Sequence, residues 1–329
     1  MSASTRQPTT NNQQPTTNNQ QPATMPAPLN ILFAGSGEFG LPTLKALLDA
    51  GHRIVRVFTQ PDRPAGRGKQ LTPTPIATTA TALGLDTVRT PNFNVEILPP
   101  ADVMVVIAFG QKIAPAAVNH PRLGSVNLHA SILPKYRGAA PIHWAVINGD
   151  SVTGNSIIRL ADKMDAGAVL AQSQLPIADR DTTADLHDRL AIDGASLMLV
   201  TLSAMEAGTA VETEQDHTAA TIAPKLSRET AVLDFTQPAS VVSRRINGLS
   251  PWPGCRVTLG NAELTLLRSE PGDPTTAAPG TLDAQGQIAA GDARGVRILE
   301  LQPKDRKPMS LSAYQNGRPW PAEAVIHSR

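Results

Sequence analysis

The 329-residue chain has a single cysteine, Cys255. It cannot close an internal disulfide or supply a thiolate cluster for zinc, which fits a reducing, cytoplasmic setting and a buried, inert thiol. Also missing is any run near the ~20 uncharged apolar residues of a membrane span, and the N-terminus lacks the apolar stretch of a secretory signal. Net charge is nearly absent: 29 basic residues against 28 acidic ones leave +1. A nucleic-acid partner would have to be met by a local basic patch, not by a global field. What remains is an ordinary composition, 41% apolar, long enough for two domains of a soluble protein.

Residues 7 to 24 read QPTTNNQ, QPTTNNQ, QPAT, a period-seven repeat without one large apolar side chain. It cannot bury enough surface to offset chain entropy, so residues 1–28 are expected to be a disordered extension, with Met25 an alternative start. From Leu29 the texture changes to apolar strands such as VMVVIAF alternating with helices. That pattern predicts a doubly wound, Rossmann-like parallel sheet over residues 29–211. Two extended stretches, 155–161 and 168–174, are close enough to pair as a hairpin and make the sheet mixed. A long helix, 183–207, ends at Gly208 and closes the domain. Residues 212–329 open with a linker and a short helix. They continue as short strands broken by Gly, Pro and Asp, which predicts a small β-barrel of oligonucleotide-binding type.

Gly35, Gly37 and Gly40 spell G-x-G-x-x-G after the first strand. A dinucleotide site also needs an acidic residue at the end of the second strand to hold the ribose hydroxyls. Thr59 and Gln60 stand there, and Asp62 comes two residues later, beyond Pro61. The missing acid favours a tight strand-to-helix turn over NAD binding. No Gly-Lys-Ser/Thr follows, so a P-loop is unsupported as well.

The densest polar stretch is SVNLHASILPKYRGAAPIHWAVINGD, residues 125–150. Asn127 and His129 are two apart at the end of a predicted strand, so both project to one face. A carboxamide and an imidazole there can stabilise an oxyanion on a carbonyl, or can satisfy the backbone of a buried turn. A carboxylate would orient the histidine. Asp165, in the DKMDAG turn, is the best-placed candidate and Asp162 its competitor. His129 and His143 lack any zinc-site spacing, so no metal is expected. The loop QPDRPAGRGKQLTPTP, residues 60–75, carries Arg63, Arg67 and Lys69. It is too long for an ordinary connection, and its cations suit a phosphate backbone.

The motifs FTQPDRPAGRGKQLTPTP, NLHASILPKYRGAAPI and MDAG occur in this order, followed by KLSRETAVLDFTQPA and LSPWPG. With them the chain from about Leu29 onward resembles the methionyl-tRNA formyltransferase family. The resemblance implies a formyl-transfer domain followed by a barrel that helps hold tRNA, with 10-formyltetrahydrofolate as donor and methionyl initiator tRNA as acceptor. It implies catalytic roles for Asn127, His129 and Asp165, folate contacts from Ser131, Ile132, Leu133 and Pro134, and tRNA contacts from Arg63, Arg67 and Lys69. GSGEFG and QPKDRKPM depart from the family's usual GTPxFA and QPAGKKxM, so Lys304 to Lys307 are left out of the tRNA set. A cytoplasmic monomer is expected, using neither metal nor NAD. Two alternatives stay open. One is a folate-dependent formyltransferase for a small amine, such as a purine precursor or amino sugar; the other is a non-catalytic nucleotide- or RNA-binding module.

Overall fold

Strands covered on both faces need no polar alternation, and the first half of the chain is built from such strands. The computed structural model describes residues 27–65, 68, 70–316, 320–321 and 323–329. The N-terminal repeat, Arg67 and Lys69 therefore lie outside the described residues. Seven strands form the main sheet: Asn30–Gly35 (β1), Arg53–Thr59 (β2), Thr87–Arg89 (β3), Val103–Ile107 (β4), Ser125–His129 (β5), Ser156–Arg159 (β6) and Val169–Gln172 (β7). Their order is β7-β6-β5-β4-β1-β2-β3. The first five run parallel, whereas β6 is antiparallel to both β5 and β7, so the expected hairpin makes the sheet mixed.

Helices Leu41–Asp49 (α1) and Thr183–Glu206 (α5) cover one face. α5 starts on a capping box: the Thr182 hydroxyl accepts from the Asp185 N–H, and the Asp185 carboxylate accepts from the Thr182 N–H. Such a cap stabilises a helix by about 1 kcal/mol. Leu186, Leu190, Met198 and Leu202, spaced by four and eight residues, are buried against Leu44, Leu47, Val126 and Leu128. Each such side chain contributes roughly 2 kcal/mol of burial. The opposite face packs Leu32, Phe58, Met104 and Val106 against Phe93, Phe109 and Ile113, with Phe93 edge-on to both Phe58 and Phe109.

The glycine turn after β1 has a steric cause. A Cβ on Gly35 would stand 2.9 Å from the Ile107 carbonyl oxygen of the neighbouring strand, so this position must be bare for β1 and β4 to pair. The place of a ribose-binding acid is filled by buried Thr59, 2.6 Å from the Thr74 hydroxyl. Asp62 is held by both oxygens on Arg89, at 2.8 and 3.0 Å. Beyond it, Arg63–Ala65 and Gln70–Thr72 pair as a small antiparallel hairpin. Thr74 then caps Pro75–Ala82 (α2).

The C-terminal half is antiparallel. Cys255–Leu259 (β8), Ala262–Pro274 (β9), Ile288–Ala289 (β10), Arg294–Pro303 (β11) and Ile326–Ser328 (β12) lie in the order β10-β11-β9-β8-β12. Bridges from Thr281 to Val325 and from Leu282 to Ile288 carry one edge towards the other and nearly close a barrel. Two shorter helices, Pro115–Val118 (α3) and Pro141–Asn148 (α4), precede α5, and the barrel core combines Val257, Leu264, Leu266, Val296, Ile298 and Leu301 with Val242 and Ile246 of Ala239–Gly248 (α6). Cys255 is part of that core, and burial pushes its thiol up to about 12, the inert state its isolation implied.

The halves are fastened together where α4 packs on α6. The Thr183 hydroxyl donates to the Gly248 carbonyl at 2.7 Å, and Arg268 of β9 forks onto the Asp185 carboxylate at 2.8 and 3.2 Å. The cap of α5 is thus also the anchor of the barrel. Burial alone would raise the Asp185 carboxyl, but hydrogen bonds from Arg268 and Thr182 outweigh it and bring it down to about 2.

A carboxylate depressed in the folded state contributes stability that is complete above its unfolded pKa of about 4 and disappears as the pH falls towards 2. Urea midpoints across that window should therefore drop more steeply for the parent chain than for Arg268→Leu; parallel curves would refute the anchor. Because Asp62 is committed to Arg89 and Thr59 fills the ribose position, fluorescence titration with NADH should show no saturable binding, and a saturable signal would revive the dinucleotide reading.

Candidate active site

The strand order reverses between β1 and β4, the position at which open α/β sheets bind ligands, and β5 ends beside it as the next strand after β4. Val126 and Leu128 point into the core under α5, so the period of two puts Asn127 and His129 on the other face. Asn127 is opposite Val106 on β4 and Ile158 on β6. These residues open into a cleft of about 920 Å³, whose walls come from Gly37–Phe39 after β1, Ala108–Ile113 after β4, and Ala139–His143 entering α4. Leu160–Asp162, Met164 and Asp165 from the β6–β7 connection complete it.

His129 is 6% exposed, and the contacts of its two ring nitrogens differ. Nε2 lies 2.9 Å from the Tyr136 carbonyl oxygen. A carbonyl has no hydrogen to give, so Nε2 must be the donor and Nδ1 is the position where a proton can come and go. Nδ1 faces Asp165 Oδ1 at 3.6 Å, too far for a formed hydrogen bond yet close enough for charge attraction. The other carboxylate oxygen of Asp165 accepts the Gly138 N–H at 2.8 Å. Asp165 is therefore the carboxylate that faces the histidine. Asp162 lines the same cleft but is exposed and makes no such contact.

Asn127 forms no hydrogen bond with a described residue through its carboxamide, which leaves both N–H groups free for a ligand in the cleft. His143 and His187 are also in the wall. Burial pushes the His143 imidazole down to about 4, a backbone hydrogen bond at Trp252 opposes this, and nearby His187 adds to it, so His143 is neutral in the working range. Phe39 packs edge-on against His187, with centroids 5.4 Å apart.

Backbone conformation at the site is unusual. Ala108, Tyr136 and Asp165 all have positive φ, at 46°, 64° and 53°, a region that costs a non-glycine residue about 1 kcal/mol or more. Gly138, at φ 121°, approaches the Ala223 carbonyl so closely that a Cβ would stand 2.7 Å from it.

Ser131, Ile132, Leu133 and Pro134 are not in the lining of this cleft; the Ser131 N–H donates to the His129 carbonyl at 3.0 Å. The Ser131 hydroxyl donates to the Lys135 carbonyl at 2.6 Å, and Ser156 bridges the Ser131 carbonyl and the Leu133 N–H. Arg63 is exposed and donates to Gln60 Oε1 at 2.9 Å. Gln60 Nε2 in turn donates to the carbonyl of cleft-lining Phe109 at 3.1 Å, so the basic hairpin springs from the cleft rim.

Three contributors escaped the sequence reading: the Tyr136 carbonyl, the Gly138 N–H and Gln215. The first two are backbone groups with no signature in residue type. Gln215 lies in the stretch read as a linker, which is instead stitched to the site. Ile222–Ala223 pairs with Arg137–Gly138, and Thr213 bridges Val169. Among the described residues no group of three or more His, Cys, Asp or Glu is placed to hold a metal ion, and no helix is long and apolar enough to cross a membrane.

Comparison with known proteins matches residues 29–202 to the Formyl transferase family and residues 225–319 to its C-terminal domain. The chain is 40% identical over 304 residues to the methionyl-tRNA formyltransferase of Moorella thermoacetica, covering 88% of this chain and 97% of that protein. It is 42% identical over 301 residues to that of Thiobacillus denitrificans, with the same shares covered. Among solved structures, it resembles HypX from Aquifex aeolicus in complex with tetrahydrofolic acid, at a TM-score of 0.61 and 17% identity over 88% of this chain and 47% of that one. WlaRD, a sugar 3N-formyl transferase, matches at 0.63 and 16% identity over 85% of this chain and 99% of that one. At such identities these structures speak to the fold alone.

Proposed function

The chain belongs to the methionyl-tRNA formyltransferase family, and on that premise we propose that it transfers the formyl group of 10-formyltetrahydrofolate to the α-amine of methionine esterified to initiator tRNA. The observation that carries the reading is the convergence of Asn127, His129 and Asp165 on one cleft at the end of β5.

The neutral amine attacks the formyl carbon, a C–N bond forms, and the carbonyl electron pair moves onto oxygen. The free N–H groups of Asn127 and a protonated His129 Nδ1 stabilise that oxyanion, each such donor being worth about 3 kcal/mol. Asp165 holds the imidazolium and accepts the amine's proton. Collapse of the tetrahedral intermediate breaks the bond to the folate nitrogen, which takes up a proton from His129, and Asp165 returns its own to Nδ1. The net transfer is one formyl group and, in the opposite direction, one proton. The fixed Nε2–H of His129 keeps this traffic on Nδ1.

Phe109, Ile113, Val118 and Leu160 give the cleft an apolar wall suited to a pterin ring, while Ser131, Ile132, Leu133 and Pro134 serve the folate side by bracing the turn behind it. Arg63, Arg67 and Lys69 contact the phosphates of the acceptor arm. The rim hairpin and the barrel favour this macromolecular acceptor, since a small amine needs neither.

Full-length protein should formylate methionyl initiator tRNA and discriminate against elongator tRNA assayed beside it. Asn127→Ala and His129→Ala should each lose at least about a hundredfold in kcat/KM with an unchanged melting temperature, and full activity in either would refute the site. Arg63→Ala and Arg67→Ala should raise KM for tRNA about fivefold or more while leaving that for the folate donor in place; equal changes in both would remove the hairpin from tRNA recognition.

A further inference from the structure

Residues 203–224 fall between the two family matches, yet they bond directly to the segments that hold His129 and Asp165. Thr221 accepts the Tyr136 N–H on its hydroxyl and the Arg137 N–H on its carbonyl, and Ala223 accepts the Ala139 N–H. Gln215 is 7% exposed although residues 212–214 and 216–219 on either side are exposed. Its amide nitrogen donates to the Asp165 carbonyl at 2.9 Å and the Gly167 carbonyl at 2.7 Å. Its amide oxygen accepts from Arg137 Nε at 3.1 Å and Nη2 at 2.6 Å. A flipped amide would set N–H against guanidinium and oxygen against two carbonyls, so the orientation is dictated by its partners.

This one side chain is bonded to both segments of the site. On one side is the turn that carries Asp165; on the other is the Tyr136–Gly138 stretch, whose Tyr136 carbonyl accepts from His129 and whose Gly138 N–H donates to the Asp165 carboxylate. Asp165 and Tyr136 both sit at positive φ, and such conformations persist only where surrounding contacts over-determine them. We propose that Gln215 is a positioning residue for formyl transfer: by clamping the Asp165 turn to Arg137 it sets the approach of the Asp165 carboxylate to His129 Nδ1. The proposal rests on the reading of the Asn127, His129 and Asp165 site given above.

Two variants of the full-length protein test it. Gln215→Ala removes all four bonds; Gln215→Glu keeps the shape and the Arg137 contact but points a carboxylate oxygen at two carbonyls. For a folded variant kcat should fall about tenfold or more while KM for each substrate stays within about twofold, because the lost geometry concerns the reacting groups and not the binding surfaces. The imidazole ¹⁵N resonances of His129 should also shift relative to the parent. If Gln215→Ala loses its fold, the isosteric Gln215→Glu carries the comparison. Parental kcat in a folded variant, a loss confined to KM, or unchanged His129 resonances would overturn the proposal. Should the parent itself fail to formylate methionyl-tRNA, the functional reading falls, and the His129 resonances still decide whether Gln215 positions the ring.

Discussion

The hydrogen bond from His129 Nε2 to the Tyr136 carbonyl decides what the rest of the site can do. An imidazole in its neutral form has one donor and one acceptor, and this bond assigns the donor. Everything that changes protonation must then happen at Nδ1, opposite Asp165 and open to the cleft. The constraint reaches outward from there. The carbonyl is correctly aimed because Tyr136 holds a left-handed conformation, and its neighbours Arg137 and Gly138 are held by backbone pairing with Ile222 and Ala223. The placement of one ring nitrogen thus depends on a strand contact more than eighty residues away in sequence.

A second dependence runs through α5. The same Asp185 carboxylate caps the helix that covers the sheet and receives Arg268 from the barrel. Capping and inter-domain docking are usually separate contributions; here one group serves both, with a desolvation cost offset by four donor groups, two on Thr182 and two on Arg268. Arg180, whose carbonyl also accepts from Arg268, pairs with Glu270 of the same barrel strand. The barrel is therefore held at a set orientation to the cleft by charge-assisted bonds on one side and by the packing of α4 on α6 on the other.

Much of this was legible in the residues. Continuous apolar runs such as VMVVI could only be strands buried on both faces, and the two-residue spacing of Asn127 and His129 at a strand end could only put them side by side. The DKMDAG turn offered two carboxylates, and geometry separates them, since only Asp165 faces the ring. The glycine turn was ambiguous in letters; around it stand a carbonyl against Gly35, a threonine where a ribose-binding acid would be and an arginine on Asp62. What was not legible is non-local or belongs to the backbone. Gln215 sits in a polar, aperiodic stretch, VETEQDHTAA, that resembles a tether by every local measure. Its burial comes from a turn fifty residues earlier. Ser131 to Pro134, to which the family resemblance gives folate contacts, are absent from the cleft lining, and their hydrogen bonds run to Lys135 and Ser156.

The pairing of Ile222–Ala223 with Arg137–Gly138 also bears on where one module stops. The main sheet and its covering helix are complete by residue 206. The hydrogen-bonded frame around His129 and Asp165 is complete only at residue 223. A fragment cut at the end of the helix would lose the strap across its site and, with Ala223, part of the packing behind Tyr136 and Ala145. A module boundary drawn at the end of the sheet would therefore run through the bonds that hold Tyr136 and Gly138, in a segment that looks dispensable.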